Sequence, residues 1–271
     1  MLFLATLAVL LMQTLAASSC RTTVAAGNYH TCAILDDAAV KCWGYAAKGE
    51  LGYGDTSTRG NQPNEMGEKL PAVELGTGRT AVSVSASYYF TCALLDSATV
   101  KCWGKNEYGE LGYGDTRDRG DDSNEMGETL PSVELGRGRT AVSVSTGRVH
   151  ACALLDDATV KCWGNNANGA LGYGDTSDRG DVSNEMGDRL PAVDLGAGRT
   201  AVSVSASKYH VCAVLDDATV KCWGFNSLFG VLGQGDKLHR GDDSNGGCPA
   251  RPTRGCGGRE EAWGWWLTVL S

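Results

Sequence analysis

Cysteines fall at Cys32, Cys92, Cys152 and Cys212 and again at Cys42, Cys102, Cys162 and Cys222, each series stepping by 60 residues. A fixed period of that length means one supersecondary unit stacked on copies of itself, so every unit must adopt the same structure. Aligned without a gap, residues 84–143 and 144–203 agree at about seven in ten positions, which makes the copies close relatives. With 37 Gly in 271 residues, the chain is rich in turns and poor in uninterrupted helix. Its 7 Trp and 9 Tyr, with the aliphatic residues, are enough to bury a core and rule out wholesale disorder. The net charge of -8 is opposite in sign to what phosphate neutralisation needs, so no nucleic-acid partner is expected.

Within one unit, Ala81-Val82-Ser83-Val84-Ser85 alternates apolar and polar residues as a half-buried strand does, and Thr91-Cys92-Ala93-Leu94-Leu95 follows as a second run. Asp96-Ser97-Ala98 supplies a turn, Thr99-Val100-Lys101-Cys102-Trp103 a third strand, and Leu130-Pro131-Ser132-Val133-Glu134-Leu135 a short fourth, with Pro131 suited to an edge. Four short strands per unit predict an all-β fold of tandem four-stranded β-propeller blades, in an incomplete or open ring of about four blades. The intervening segment around Leu111-Gly112-Tyr113-Gly114-Asp115 is too Gly-rich for a helix and long enough to need local order of its own. After Asn245 the pattern stops. The expected organisation is a signal peptide over residues 1–19, four 60-residue repeats over 20–245 and an irregular tail over 246–271. The last unit then lacks its fourth strand, which leaves an exposed edge and a route to self-association.

The units resemble repeats of the regulator of chromosome condensation family in Tyr29-His30-Thr31-Cys32-Ala33, in Val40-Lys41-Cys42-Trp43-Gly44 and in Gly49-Glu50-Leu51-Gly52-Tyr53-Gly54-Asp55. The resemblance runs from about Val24 to Asp236 and implies one propeller blade per repeat. The family's usual propeller has seven blades, whereas this chain has four units. Ala38, Ala98, Ala158 and Ala218 stand in the hairpin turn where the family often has Gly. The resemblance also implies a competing function, a cytoplasmic regulatory module of the guanine-nucleotide exchange or ubiquitin-ligase-associated kind.

The apolar run Leu2 to Leu15, followed by Ala16-Ala17-Ser18-Ser19, reads as a secretory signal, although its n-region has no Lys or Arg. No membrane span is expected after its removal, and the expected location is outside the cell or in the secretory lumen, with the cytoplasm as the alternative. In each hairpin, if Leu35 pairs with Ala39, Cys32 lies opposite Cys42, and the same register pairs Cys92 with Cys102, Cys152 with Cys162 and Cys212 with Cys222. Four disulfides are predicted; in a reducing cytosol the same positions would hold small buried hydrophobes. Cys248 and Cys256 are a further candidate pair, outside the four predicted, and Cys20 is left over.

His30, His150 and His210 each precede a Cys by two residues, but Phe90 replaces them in the second unit and the spacing is not that of a zinc site. The acidic run from Asp115 to Glu128 lacks the spacing of a calcium loop, so no metal or other cofactor is predicted. Arg119-Gly120-Asp121, with its copies, resembles the integrin-binding tripeptide but is a weak motif, and a glycine turn between charges explains it without any receptor. The tryptophans Trp43, Trp103, Trp163 and Trp223 read as packing between blades. No Ser, His and Asp set recurs in a catalytic order, so the chain is read as non-enzymatic, with no catalytic residues. Differences between units concentrate in the loops at residues 87–90 against 147–150 and 105–108 against 165–168, which an antiparallel meander places at one end of the sheets. Aromatic residues anchor protein interfaces, so Tyr88, Tyr89, Phe90, Tyr108, Tyr209 and Phe225 are predicted to bind an unidentified protein partner.

Overall fold

The computed structural model describes residues 23–242. The expected signal segment, Cys20 and the 246–271 tail with Cys248 and Cys256 lie outside the described residues. The rest is an all-β array of four antiparallel meanders, one per repeat, with no α-helix among the described residues. The strands are β1 (Thr23–Ala26), β2 (His30–Ile34) and β3 (Val40–Gly44) in the first unit, and β4 (Ala81–Ala86), β5 (Phe90–Leu95) and β6 (Val100–Gly104) in the second. The third unit has β7 (Ala141–Thr146), β8 (His150–Leu155) and β9 (Val160–Gly164), and the fourth β10 (Ala201–Ala206), β11 (His210–Leu215) and β12 (Val220–Gly224). Strands pair in chain order within each unit, and no strand of the first unit pairs with one of the fourth among the described residues.

Each sheet has three strands, a correction to the four expected. The Leu130–Leu135 segment runs beside β6 but contributes one backbone bond, Val133 N–H to Val100 C=O at 2.8 Å. The remaining groups on that edge are taken by other segments. The Tyr113 hydroxyl accepts from Cys102 N–H and donates to Cys102 C=O, at 2.9 and 2.8 Å. Gly104 and Arg119 exchange both of their backbone bonds, at 2.8 and 3.0 Å. Three separate pieces therefore satisfy the edge that a fourth strand would have covered, and the same arrangement recurs with Tyr53 and Arg59 and with Tyr173 and Arg179.

Because side chains alternate along a strand, each sheet offers two faces. Cys92, Leu94, Val100 and Cys102 face the third unit, where they pack on Ala141, Ala151, Ala153, Leu155 and Trp163. The opposite face of the second unit, with Ala93, Leu95 and Trp103, packs on Cys32, Ile34, Val40 and Cys42 of the first. The core is thus a series of junctions between consecutive units. Each of the last three units also sends its tryptophan Nε1 across a junction, Trp103 to Glu50 C=O, Trp163 to Glu110 C=O and Trp223 to Ala170 C=O, all at 3.0 Å.

The cysteines are cross-strand neighbours in every unit, and all four predicted pairs are bonded, with Cα atoms 4.0–4.1 Å apart. Beyond them the hairpin closes on a three-residue loop. Ala98 N–H bonds Leu95 C=O, and Ala98 itself has φ of 59°, as do its copies Ala38 (61°), Ala158 (62°) and Ala218 (65°). That is the left-handed position of a three-residue hairpin, where glycine is the unstrained choice.

Candidate functional site: an aromatic and cationic band at one end of the sheets

The loops joining the first strand to the second, and those leaving the third, meet at one end of each sheet, as Lys105 N–H bonded to Tyr89 C=O at 2.9 Å shows. At this end Tyr29 lies against Tyr45, Tyr88 and Tyr89, with ring centroids 6.2, 6.2 and 5.5 Å away. Tyr88 then meets Arg148, whose guanidinium lies 5.2 Å from its ring and 5.6 Å from that of Tyr209, and Arg148 also donates to the Tyr209 hydroxyl. Lys208 Nζ sits 5.5 and 4.9 Å from the same two rings. Tyr209 packs on Phe225, and Phe225 on His239 at 4.6 Å. The result is one band running through all four units. At its middle, Tyr88, Arg148 and Lys208 rim a depression of about 270 Å³ into which the inner-strand ends Ala26, Ala86 and Thr146 open.

Four of the six predicted partner-binding residues, Tyr88, Tyr89, Tyr209 and Phe225, are brought together here. Tyr108 is half-buried near the same end and joins none of these ring contacts. Phe90 is a correction: it is fully buried, because it shares the strand parity of Cys92 and Leu94 and points into the junction with the third unit. The selection from sequence missed Tyr29, Tyr45, Arg148 and Lys208. Tyr29 was visible as the first-unit copy of Tyr89, and Arg148 lies in one of the loops that differ between units.

Several other titratable groups brace the fold. His30 and His150 are buried, which holds their pKa near 4; His30 bonds Thr91 Oγ1 of the next unit at 2.7 Å. Burial pushes the Glu110 carboxyl up to about 7, where it accepts from Tyr108 N–H. Lys101 Nζ crosses the first junction to Leu75 C=O and donates also to Gly127 C=O, and burial lowers its pKa. The Arg-Gly-Asp copies are structural: Arg119 pairs with Asp115 at 2.8 Å, and Gly120 C=O accepts from Gly54 N–H of the preceding unit at 3.0 Å. Among the described residues no group of three His, Cys, Asp or Glu side chains is placed to hold a metal ion.

Four three-stranded blades with buried inter-blade tryptophans define a propeller-repeat protein. A model of the regulator of chromosome condensation (RCC1) repeat matches residues 22–50, 81–110, 141–170 and 201–230, and a second model of this repeat matches 99–154. The chain belongs to this family of repeat proteins. It is 31% identical over 218 residues to the ultraviolet-B receptor UVR8 of Arabidopsis thaliana, covering 80% of this chain and 44% of the receptor. It thus spans less than half the length of that relative. Among solved structures it is similar to human WBSCR16 at 17% identity and a TM-score of 0.59, covering 81% of this chain and 51% of that one. It is also similar to yeast RCC1 (Prp20) in its complex with Kap60, at 16% identity and a TM-score of 0.56, covering 82% and 47%.

Proposed function

We propose that this chain is a non-enzymatic protein-interaction module of the RCC1-repeat type, working outside the cell or in the secretory lumen and engaging its protein partner through the aromatic and cationic band. The observation that carries the reading is the continuity of that band. Tyrosines, Arg148 and Lys208 from different repeats converge on one surface, and such residues supply interface anchors that are both apolar and hydrogen-bonding. Cations in a chain of net charge -8 favour an acidic or carbonyl-rich partner segment. The four disulfides support an oxidising compartment, where such bonds persist. No helix among the described residues is long and apolar enough to cross a membrane. The yeast relative is held in a complex with Kap60, and a protein partner for this chain is the corresponding proposal.

The test is cross-linking and mass spectrometry on chain recovered from the secretory pathway, comparing the parent with Tyr88→Ala/Tyr89→Ala and with Asp96→Lys at the opposite end of the sheets. The expected result is loss of the cross-linked partner in the tyrosine variant alone. Equal capture by all three, or loss only with Asp96→Lys, overturns the assignment of this surface.

A further inference from the structure

The three internal junctions share one set of contacts, and the fourth unit presents the first half of that set with nothing among the described residues seated on it. Val220 is 60% exposed, whereas its copies Val40, Val100 and Val160 are 0–1% exposed. Val231 is 41% exposed where Glu50, Glu110 and Ala170 are covered by the next unit. The glycines agree. A β-carbon added at Gly52, Gly112 or Gly172 would lie 2.7–2.8 Å from the next unit's tryptophan Nε1, while one at Gly233, the equivalent position, would meet nothing within 4 Å. Gly54, Gly114 and Gly174 each donate to a glycine carbonyl of the next unit, at 3.0–3.1 Å, whereas Gly235, which takes their place, makes no such bond among the described residues. The first unit carries the complementary half: Trp43, only half-buried where Trp103, Trp163 and Trp223 are buried, and Gly60, the copy of the accepting glycines.

We propose that the open face of the fourth unit is a docking surface for the first unit of a second copy of this chain. The junction would repeat the internal ones, with Trp43 Nε1 donating to Val231 C=O, Gly235 N–H donating to Gly60 C=O, and Val214 and Val220 covered. The docking surface is a sheet face, distinct from the sheet edge named in the sequence analysis. Such a contact is head-to-tail, and it closes when two copies complete a ring. The four units cover 51% and 47% of two solved propeller chains, and two copies bring eight units, one more than the family's usual seven and within the range of about 4–8 blades that propellers use.

The experiment is sedimentation analysis of the full chain and of two variants, Val220→Glu and Trp43→Glu, with Val142→Glu, exposed on an inner strand, as control; circular dichroism and a free-thiol count check folding. The expected result is a concentration-dependent dimer for the parent and the control, a monomer for each variant alone, and a 1:1 heterodimer when the two are mixed, because that mixture retains one intact junction. A monomeric parent, as when residues 243–271 cover the face, overturns the proposal. So does a dimer that survives both substitutions, or one lost in Val220→Glu but kept in Trp43→Glu, which would mean fourth units meeting each other. Failure here leaves the band at the loop end of the sheets untouched, because neither substituted residue belongs to it.

Discussion

Val100-Lys101-Cys102-Trp103-Gly104 and Val220-Lys221-Cys222-Trp223-Gly224 are the same five residues in the same strand of the second and fourth units, with the same register and the same disulfide. In the second unit all five are buried; in the fourth only Trp223 and Gly224 are. Trp223 is covered because it faces back onto the third unit, and Val220 is bare because, among the described residues, it has neither a following unit nor a copy of Val133 beside it. A repeat array therefore keeps its stability in the junctions, as the nearest-neighbour description of solenoids holds, and an identical sequence is worth different amounts at different places in the stack.

The largest expected effect comes from removing a junction residue. Trp163→Ala, at a fully buried site, should cost about 3–5 kcal/mol in urea denaturation, and Val160→Ala about 1.5–3, whereas Val220→Ala should cost under about 0.5. Equal costs for the two valines would break the comparison. Next comes acid. His150 is buried and neutral with its pKa lowered to about 4, so the stability it contributes is complete above about pH 6.5 and is lost as pH falls towards 4. His150→Phe, which copies Phe90, should shrink that acid loss by about 3 kcal/mol, with His30 retaining its own share. At the half-buried copy, His210→Phe should change the acid limb less, which denaturation midpoints at pH 7, 5.5 and 4 will show. The smallest effect should show no difference between units. Ala98→Gly and Ala218→Gly each relieve a left-handed alanine, and each should stabilise by about 0.5–1 kcal/mol once the flexibility of glycine is counted. A gain at Ala98 alone would mean that the turn, too, depends on its neighbour.

Local features were legible in the sequence. Cysteine register follows from counting back from a turn, and the left-handed turn residue was visible as alanine where the resembled family often has glycine. What depends on long-range contacts was not legible. Leu130–Leu135 has the composition of a strand, yet the Tyr113 hydroxyl, 11 residues from Cys102 in sequence, already occupies both backbone groups a strand would need, and no apolar pattern announces that. Phe90 was placed in the binding surface because loop variation and aromatic character were read without strand parity; parity with Cys92 would have sent it inward. The band itself needed the structure, since Tyr88 and Arg148 are one unit apart and only the stacking of blades brings them within reach.

The tyrosine hydroxyl on the outer edge carries one more consequence, for encounters with other chains. A bare sheet edge is a template on which a foreign strand can grow, and proteins usually defend it with charge, proline or a bulge. Here the middle of the template is already filled: an incoming strand would have to displace Tyr53, Tyr113 or Tyr173 from two backbone bonds at once before it could pair. In the fourth unit Gln234 stands at that position and turns to Leu232 C=O instead, so among the described residues the tyrosine guard covers three of the four edges and is missing at β12.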